Sequence, residues 1–488
     1  MSRAALVVIV IGAIAVVLVA SPRAIFDLDR FLVPKELALH LTAAVAGLLT
    51  LRRMRPDWLL TVFLLLSAMS AVLATNKWLG FRGLAISASG VVLFWAARTL
   101  DERPLINGLA LAVVIAALTS LLQAYGVESL YFANTRIPGG TLGNRNFVAH
   151  MAAFGLPLCM LAALRAWRYG PGVAILAAAL VLTRSRAGWL AAAVALLVFC
   201  IFSLRERRLL AVLGFAVAGA VAALIIPNAL HWRSGNPYLD SVTGVVEYEK
   251  GSGRGRLVQY QRSLRMAVQH ALLGVGPGNW AVDYPRHAAR NDPSLSDSDG
   301  GMTSNPWPSS DWVAFIAERG FAAAALLALF FVRQLRRDAA LLATLAAVGV
   351  AGLFDAVLLL PAPALIVWAA LGALSTSSVT LSREDGEGSP DAPRLRSFAS
   401  LRMTTTVVLV IALLGAARSA AQLTAMEIFA THSDRASLER ASHIDPANYR
   451  IQTRLARGGR TRCAHALAAH RLYPSAEAAA ALARGCKE

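Results

Sequence analysis

The sequence predicts an all-α protein: a polytopic membrane helical bundle of about 12–13 spans, with one large outer loop and a short helical C-terminal tail. Three observations carry this. Of 488 residues, 57% are hydrophobic and only 16% are charged, whereas soluble domains carry roughly 25% charged residues. Mean hydropathy is +0.56. The apolar residues come in blocks of bilayer-spanning length, and arginines gather after every second block. A secreted enzyme, a cytosolic multidomain protein and a disordered regulator are excluded.

Thirteen segments serve as candidate spans, near 4–20, 36–51, 58–75, 83–97, 105–125, 147–164, 171–183, 187–204, 209–226, 311–332, 339–359, 361–377 and 404–422. The first reads as a retained span. No small-residue cleavage site follows it, and many later blocks resemble it. Arg52, Arg53 and Arg55 follow the second span, Arg98 and Arg103 the fourth, and Arg165 and Arg168 the sixth. Arg205, Arg207 and Arg208 follow the eighth, Arg333, Arg336 and Arg337 the tenth, and Arg383, Arg394, Arg396 and Arg402 the twelfth. Basic loops stay cytoplasmic, so the N-terminus and the even exits lie inside and the odd exits lie outside.

This divides the chain into a membrane domain, 1–377, a cytoplasmic linker, 378–403, a last span, 404–422, and a tail, 423–488. The outer loop, 227–310, is rich in Gly, Pro, Ser and Asp, and loops of this length are usually functional. The linker carries the run Ser382-Arg383-Glu384-Asp385-Gly386-Glu387-Gly388-Ser389-Pro390. The tail is alanine-rich and helical in pattern. Asp445-Pro446 and Tyr473-Pro474 look like two helix starts with proline in the first turn, 28 residues apart. Two such units resemble degenerate tetratricopeptide repeats, which would give the tail a protein partner. An ordinary helical tail is the plainer reading.

The net charge of +18 would point to nucleic acid in a soluble protein. Here topology explains most of it, beside binding of anionic ligands or membrane lipids, and no nucleic-acid partner is expected. Cys159 and Cys200 lie in apolar blocks and read as small core residues. Cys463 and Cys486 would pair if the tail lies in an oxidising compartment. No cysteine or histidine spacing marks a metal site.

Chemistry is sought where charge falls outside, against the orientation trend. The fifth–sixth connection reads Arg136-Ile137-Pro138-Gly139-Gly140-Thr141-Leu142-Gly143-Asn144-Arg145-Asn146-Phe147. Its glycines and asparagines allow tight turns, and Arg145 stands at a helix N-terminus, where amides and guanidinium forks favour phosphate. The alternative is a turn with a snorkelling arginine. The seventh–eighth connection holds Arg184 and Arg186 near membrane depth, where ionisable residues are costly and mark functional sites. Trp189 beside them also fits an interfacial anchor. In the outer loop, residues 255–271 have helical spacing, so Arg254, Arg256, Arg262 and Arg265 also fit a solvated face. The Gly274-Val275-Gly276-Pro277-Gly278-Asn279 run is a turn or a site of close backbone approach. It is no dinucleotide motif, because no strand precedes it. Asp311, Glu318 and Arg319 open the tenth span, where Asp311 also fits a helix cap, and Asp355 falls inside the eleventh.

In this order, Gly140–Asn146, Ser185–Leu190, Gly255-Arg256-Leu257 with Tyr260, His270–Trp280 and Asp311-Trp312-Val313 with Glu318-Arg319-Gly320 resemble the O-antigen ligase family, over roughly residues 40–375. That family is related to O-antigen polymerases and to some bacterial protein O-oligosaccharyltransferases. The resemblance implies a metal-independent, cofactor-free glycosyltransferase of the inner-membrane periplasmic face. It would move a glycan from undecaprenyl diphosphate to an acceptor such as lipid A core, a growing glycan or a protein. It also implies that periplasmic arginines hold the diphosphate, here Arg136, Arg145, Arg184, Arg186 and Arg256. A histidine before the tenth span is the implied base, and Ser309 stands in its place. Asp311 or His287 is then the expected base. The rival expectation is a non-catalytic transporter or binding protein for a lipid-linked glycan, using the same basic cavity.

Overall fold

The computed structural model describes residues 2–232, 238–240, 251–289, 291–296, 302–335, 338–375 and 397–486, with 251, 252 and 397–402 as backbone only. It is all-helical: among the described residues no strand forms, and Leu295 and Thr303 make an isolated bridge. The first nine helices are α1 (Ser2–Leu18), α2 (Asp29–Thr50), α3 (Trp58–Leu73), α4 (Lys77–Ala97), α5 (Glu102–Ala124), α6 (Arg145–Arg165), α7 (Gly170–Thr183), α8 (Arg186–Ser203) and α9 (Leu209–Ile225). The outer loop contributes α10 (Gly251–Gln269) and the short α11 (Trp280–Asp283). Then come α12 (Asp311–Arg333), α13 (Ala339–Phe354), α14 (Pro361–Leu374) and α15 (Ser397–Thr431). The tail forms α16 (Arg435–Ile444), α17 (Tyr449–Leu455), α18 (Arg462–Leu472) and α19 (Glu477–Ala483).

Many of these helices begin on a short polar side chain whose oxygen takes an orphan backbone N–H. Asp57 accepts from Leu59 at 2.9 Å, Asn144 from Asn146 at 3.0 Å and Asp338 from Leu341 at 2.7 Å. An apolar helix stands at each expected span. Seven are long and apolar enough to cross a membrane: α2, α4, α5, α6, α8, α12 and α15. The other six are shorter apolar helices, and the 16 residues of α3 reach only about 24 Å at 1.5 Å per residue.

The boundaries differ where charge misleads. The second helix begins at Asp29, seven residues before the expected 36. Its first two turns hold Arg30, Lys35 and Glu36, which look unlike a span. Each has a partner: Arg30 donates to the Phe132 carbonyl, Lys35 to the Val19 carbonyl, and Glu36 pairs with Arg82 at 2.5 Å. Helix α13, at the eleventh expected span, stops at Phe354, so Asp355 is its C-cap and not a residue inside the helix. The last apolar helix runs on to Thr431, beyond the expected 422. In the tail the prolines precede the helices and do not open them. Asn448 caps α17, accepting from Ile451 at 3.3 Å, and Ala476 precedes α19. Most of the linker, with Arg383, Arg394 and Arg396, lies outside the described residues, as do Arg336 and Arg337.

The connections sort onto two faces. After even helices, Arg165 pairs with Glu102 at 2.6 Å, Arg208 reaches the Leu164 carbonyl at 3.2 Å, and Ser375 meets Gln334 at 2.9 Å. After odd helices, Thr141 donates to the Val17 carbonyl at 2.7 Å, Ala229 to the Ala124 carbonyl at 2.8 Å, and Asn76 to Asn279 at 2.7 Å. The tail docks on this second face, called the loop face below: Asn76 donates to the Leu472 carbonyl at 3.2 Å and Ser475 to the Val282 carbonyl at 3.3 Å. Cys463 and Cys486 form a disulfide there.

Helix contacts in the bundle lean on small residues, which let backbones approach without a hydrophobic drive from water. A Cβ on Gly219 of α9 would meet the Ala174 carbonyl of α7 at 2.0 Å, and one on Gly372 of α14 would meet the Phe94 carbonyl of α4 at 2.5 Å. The outer loop has its own small core, with Met266, Trp280 and Tyr284 fully buried together with Ala317 of α12. The glycine run is a close backbone approach. Val275 and Gly276 donate to the Ala317 and Glu318 carbonyls at 3.0 and 2.9 Å, and a Cβ on Gly274 would lie 2.2 Å from Glu318. The α12 backbone yields at the same point: Gly320, at φ +81°, breaks the helix, and Phe321 donates to the Ala271 carbonyl at 3.0 Å.

Candidate functional site

The loop face holds a cavity of about 250 Å³ between the fifth–sixth connection, α10, the segment before α12, and the end of α13. Arg136 and Arg256 both line it, with Asn144, Gln259, Ser309 and Asp355. These groups lie far apart in sequence, and each is positioned by its own local structure.

Arg136 sits on a turn knitted to α5. Gln123 accepts from the Gly140 amide at 2.8 Å and donates to the Ala133 carbonyl at 2.6 Å, and Ser120 donates to the Pro138 carbonyl at 2.8 Å. The Arg145 amide donates to the Arg136 carbonyl at 3.0 Å, closing the turn onto α6. Arg136 takes a left-handed backbone, φ +54°, and Arg184 another, φ +51°. L-residues other than glycine, asparagine and aspartate seldom adopt this region, at a cost of about 1–2 kcal/mol. Of the described non-glycine residues, Asp27 is the third with positive φ.

Arg145 and Arg184 meet at one ring. Their guanidinium carbons lie 5.2 and 4.5 Å from the Trp232 centroid, within cation–π range. Arg145 also feels the positive charges of Arg184 and Arg136. Arg186 is the first residue of α8, whose N-cap Ser185 accepts from the Gly188 amide at 3.4 Å. Arg136 and Arg256 therefore share the cavity, Arg145 and Arg184 form a neighbouring cationic pair, and Arg186 follows Arg184 at the α8 terminus.

The two expected bases lie elsewhere. Asp311 is fully buried, and its Oδ2 accepts from the Val357 and Leu358 amides at 3.0 and 2.7 Å. It fastens the 355–360 turn to α12, and the α12 cap is Ser310, which accepts from Val313 at 3.4 Å. His287 closes the turn after α11, its amide donating to the Tyr284 carbonyl at 2.9 Å. Burial, then the neighbouring His270, hold its ring below the usual histidine range against the pull of Asp283. Neither residue is among those lining the Arg136–Arg256 cavity.

Asp355 does line it, from the end of α13 where the sequence predicts the interior of a span. His150 of α6 is 1% exposed, has no hydrogen-bond partner on either ring nitrogen among the described residues, and feels the charges of Asp355 and Arg256. Ser309 lines the cavity as well. Its amide donates to Gln259 at 2.6 Å, and its carbonyl accepts from the Tyr260 hydroxyl at 2.6 Å. Gln259, Trp232 and His150 were not singled out from the sequence. The signal for His150 was a lone histidine in an apolar span, which tells nothing of its neighbours. Among the described residues no cluster of His, Cys, Asp or Glu is arranged to hold a metal.

No curated protein matches the chain at a significant level. A family match covers part of the site, with Arg184, Arg186, Arg256 and Ser309 and both expected bases, and leaves out Arg136 and Asp355. Residues 171–328 match the family model described as O-Antigen ligase, the family that the motifs resemble.

Proposed function

We propose that the protein transfers a glycan from undecaprenyl diphosphate to a hydroxyl of lipid A core, of a growing glycan or of a protein. The reaction takes place in the loop-face cavity, and that face is periplasmic. The observation that carries this reading is the convergence of Arg136, Arg256, Asp355 and Ser309 on one cavity, beside the Arg145–Arg184 pair.

The chemistry needs little else. The acceptor oxygen attacks the anomeric carbon of the donor sugar. The bond from that carbon to the diphosphate oxygen breaks, and its electron pair leaves with undecaprenyl diphosphate. Guanidinium forks bind phosphate oxygens bidentately and stabilise the charge as it gathers on the leaving group, commonly the largest catalytic contribution. The hydroxyl proton passes to a carboxylate. Asp355 is in place for this, with His150 buried beside it, whereas the Asp311 carboxylate is engaged by two amides. Ser309 is no base near neutral pH and serves here as wall. The strained backbones of Arg136 and Arg184 fit a site whose positions are over-determined by function. The disulfide on the loop face and the arginine-rich loops opposite it fit a periplasm on one side and cytoplasm on the other.

The test is a reconstituted transfer assay with undecaprenyl-diphosphate glycan and candidate acceptors. Arg136→Ala with Arg256→Ala is expected to lower turnover by about 10²–10³-fold or more. Donor binding by the wild-type protein with no transfer to any acceptor would favour the non-catalytic alternative.

A further inference from the structure

A second, larger cavity of about 370 Å³ adjoins the first, and Leu28, Ser304, Asn305 and Trp307 wall both. Its inner side is made by α2, α4, α12 and α15. Its outer side is the C-terminal tail, through Asp445, Tyr449 and Tyr473. The tail is held in place by the bonds of Leu472 and Ser475 to the loop face and by Arg450, which pairs with Asp27.

The lining differs in kind from that of the first cavity. Carboxylates of Asp27, Asp29, Glu36, Glu318 and Asp445 answer the guanidiniums of Arg82, Arg319, Arg418 and Arg450. Many are already paired: Arg82 with Glu36 at 2.5 Å and Asp29 at 3.2 Å, and Arg319 with Glu318 at 3.4 Å. A diphosphate has no net positive field to enter here, whereas Arg136 and Arg256 offer one next door. Hydrogen-bonding capacity is nevertheless unspent. Among the described residues, Glu36 Oε2, Arg319 Nε and Arg418 Nε are buried with no hydrogen-bond partner, Glu36 Oε2 having only the Arg418 guanidinium at 4.0 Å, and Glu36 and Arg319 are at most 1% exposed. Buried charged groups left unsatisfied are costly, so such atoms call for a ligand or water that satisfies them. Flat faces are supplied by Trp78, Trp307, Tyr449 and Tyr473.

A neutral, polyhydroxylated ring answers each feature. Its hydroxyls donate to carboxylates and accept from guanidiniums, and its C–H face lies against the electron-rich face of an aromatic ring. The volume falls within the range of small-ligand sites. We propose that this cavity binds the terminal sugars of the acceptor, a neutral oligosaccharide, and that the C-terminal helices are its outer wall. The proposal rests on the reading of the first cavity as the diphosphate site: the shared wall sets an acceptor hydroxyl beside the donor. The tail is then a part of substrate binding.

The experiment uses the full chain in lipid nanodiscs. Saturation-transfer NMR reads binding of neutral di- and trisaccharides of hexose and N-acetylhexosamine, and ³¹P NMR reads binding of inorganic pyrophosphate. Asp445→Asn and Tyr449→Ala are expected to weaken the sugars about tenfold or more and to leave pyrophosphate unchanged, which also reports an intact fold. Tyr449→Phe keeps the ring and should retain sugar binding. Arg136→Ala with Arg256→Ala should do the converse. The proposal is overturned if the wild-type protein takes up none of the sugars, if Asp445→Asn and Tyr449→Ala bind them like wild type, or if the arginine pair loses them equally. Sugar binding that behaves as expected in a protein that never binds pyrophosphate would instead remove the diphosphate reading and leave the sugar cavity standing.

Discussion

Asp311 and Asp355 show how the same side chain does different work in different surroundings. Asp311 is fully buried and spends Oδ2 on two amides of the 355–360 turn. Asp355, at the end of that turn's preceding helix, lines the cavity. Hydrogen bonds to a charged group contribute about 1.5–3 kcal/mol each. Asp311→Ala is therefore expected to lower the unfolding temperature markedly, while Asp311→Asn, which keeps an acceptor oxygen, should be milder. Asp355→Asn should leave unfolding unchanged and abolish turnover. Thermal melts beside the transfer assay check both. Arg136 offers the complementary case. Its left-handed backbone costs about 1–2 kcal/mol, and glycine relieves this at an entropic cost of about 0.5–1 kcal/mol. Arg136→Gly should thus melt at or above the wild-type temperature while binding pyrophosphate more weakly. A lower melting temperature would mean that the side chain holds the turn together.

Among the elements, the C-terminal tail gains most from being seen in place. Burial pushes the Asp445 carboxyl above its usual range, against the pull of Arg418. A raised folded-state value means that the fold disfavours the ionised form, so stability rises as pH falls through that value toward the ordinary 3.8. At neutral pH, Asp445→Asn should then cost no stability even though it weakens sugar binding. The disulfide has a sequence separation of 23, which corresponds to about 3 kcal/mol of loop-closure stabilisation. Reduction, or Cys463→Ser with Cys486→Ser, should raise amide exchange in α18 and α19 and leave the bundle unaffected. The apolar periodicity made the helices legible in the sequence, because a lipid-facing helix must be apolar over its length. The start of α2 was illegible for the same reason. Arg30, Lys35 and Glu36 look like loop residues until Phe132, Val19 and Arg82 are brought to them. The tail's helix starts were misplaced by reading Pro446 as the first turn when Asn448 is the cap.

For the whole molecule, the connections alternate between two faces: the odd-numbered exits and the tail share one face, and the even-numbered exits the other. That shared face is what brings Arg136 and Arg256 together across 120 residues of sequence. The candidate arginines were legible because guanidiniums on the less basic face break the orientation rule. The proposed base, Asp355, and the second cavity were not. Asp355 was hidden by a helix end, and Arg82, Glu36 and Arg418 compensate one another across three helices, a pairing that no linear pattern reveals. The most direct test is equilibrium binding of undecaprenyl diphosphate to the nanodisc-embedded protein, comparing wild type with Arg136→Ala, Arg256→Ala and the double variant. Loss of two charge-assisted contacts should weaken binding by at least about 100-fold in the double variant. Affinity equal to wild type in that variant would contradict the assignment of this cavity to the diphosphate.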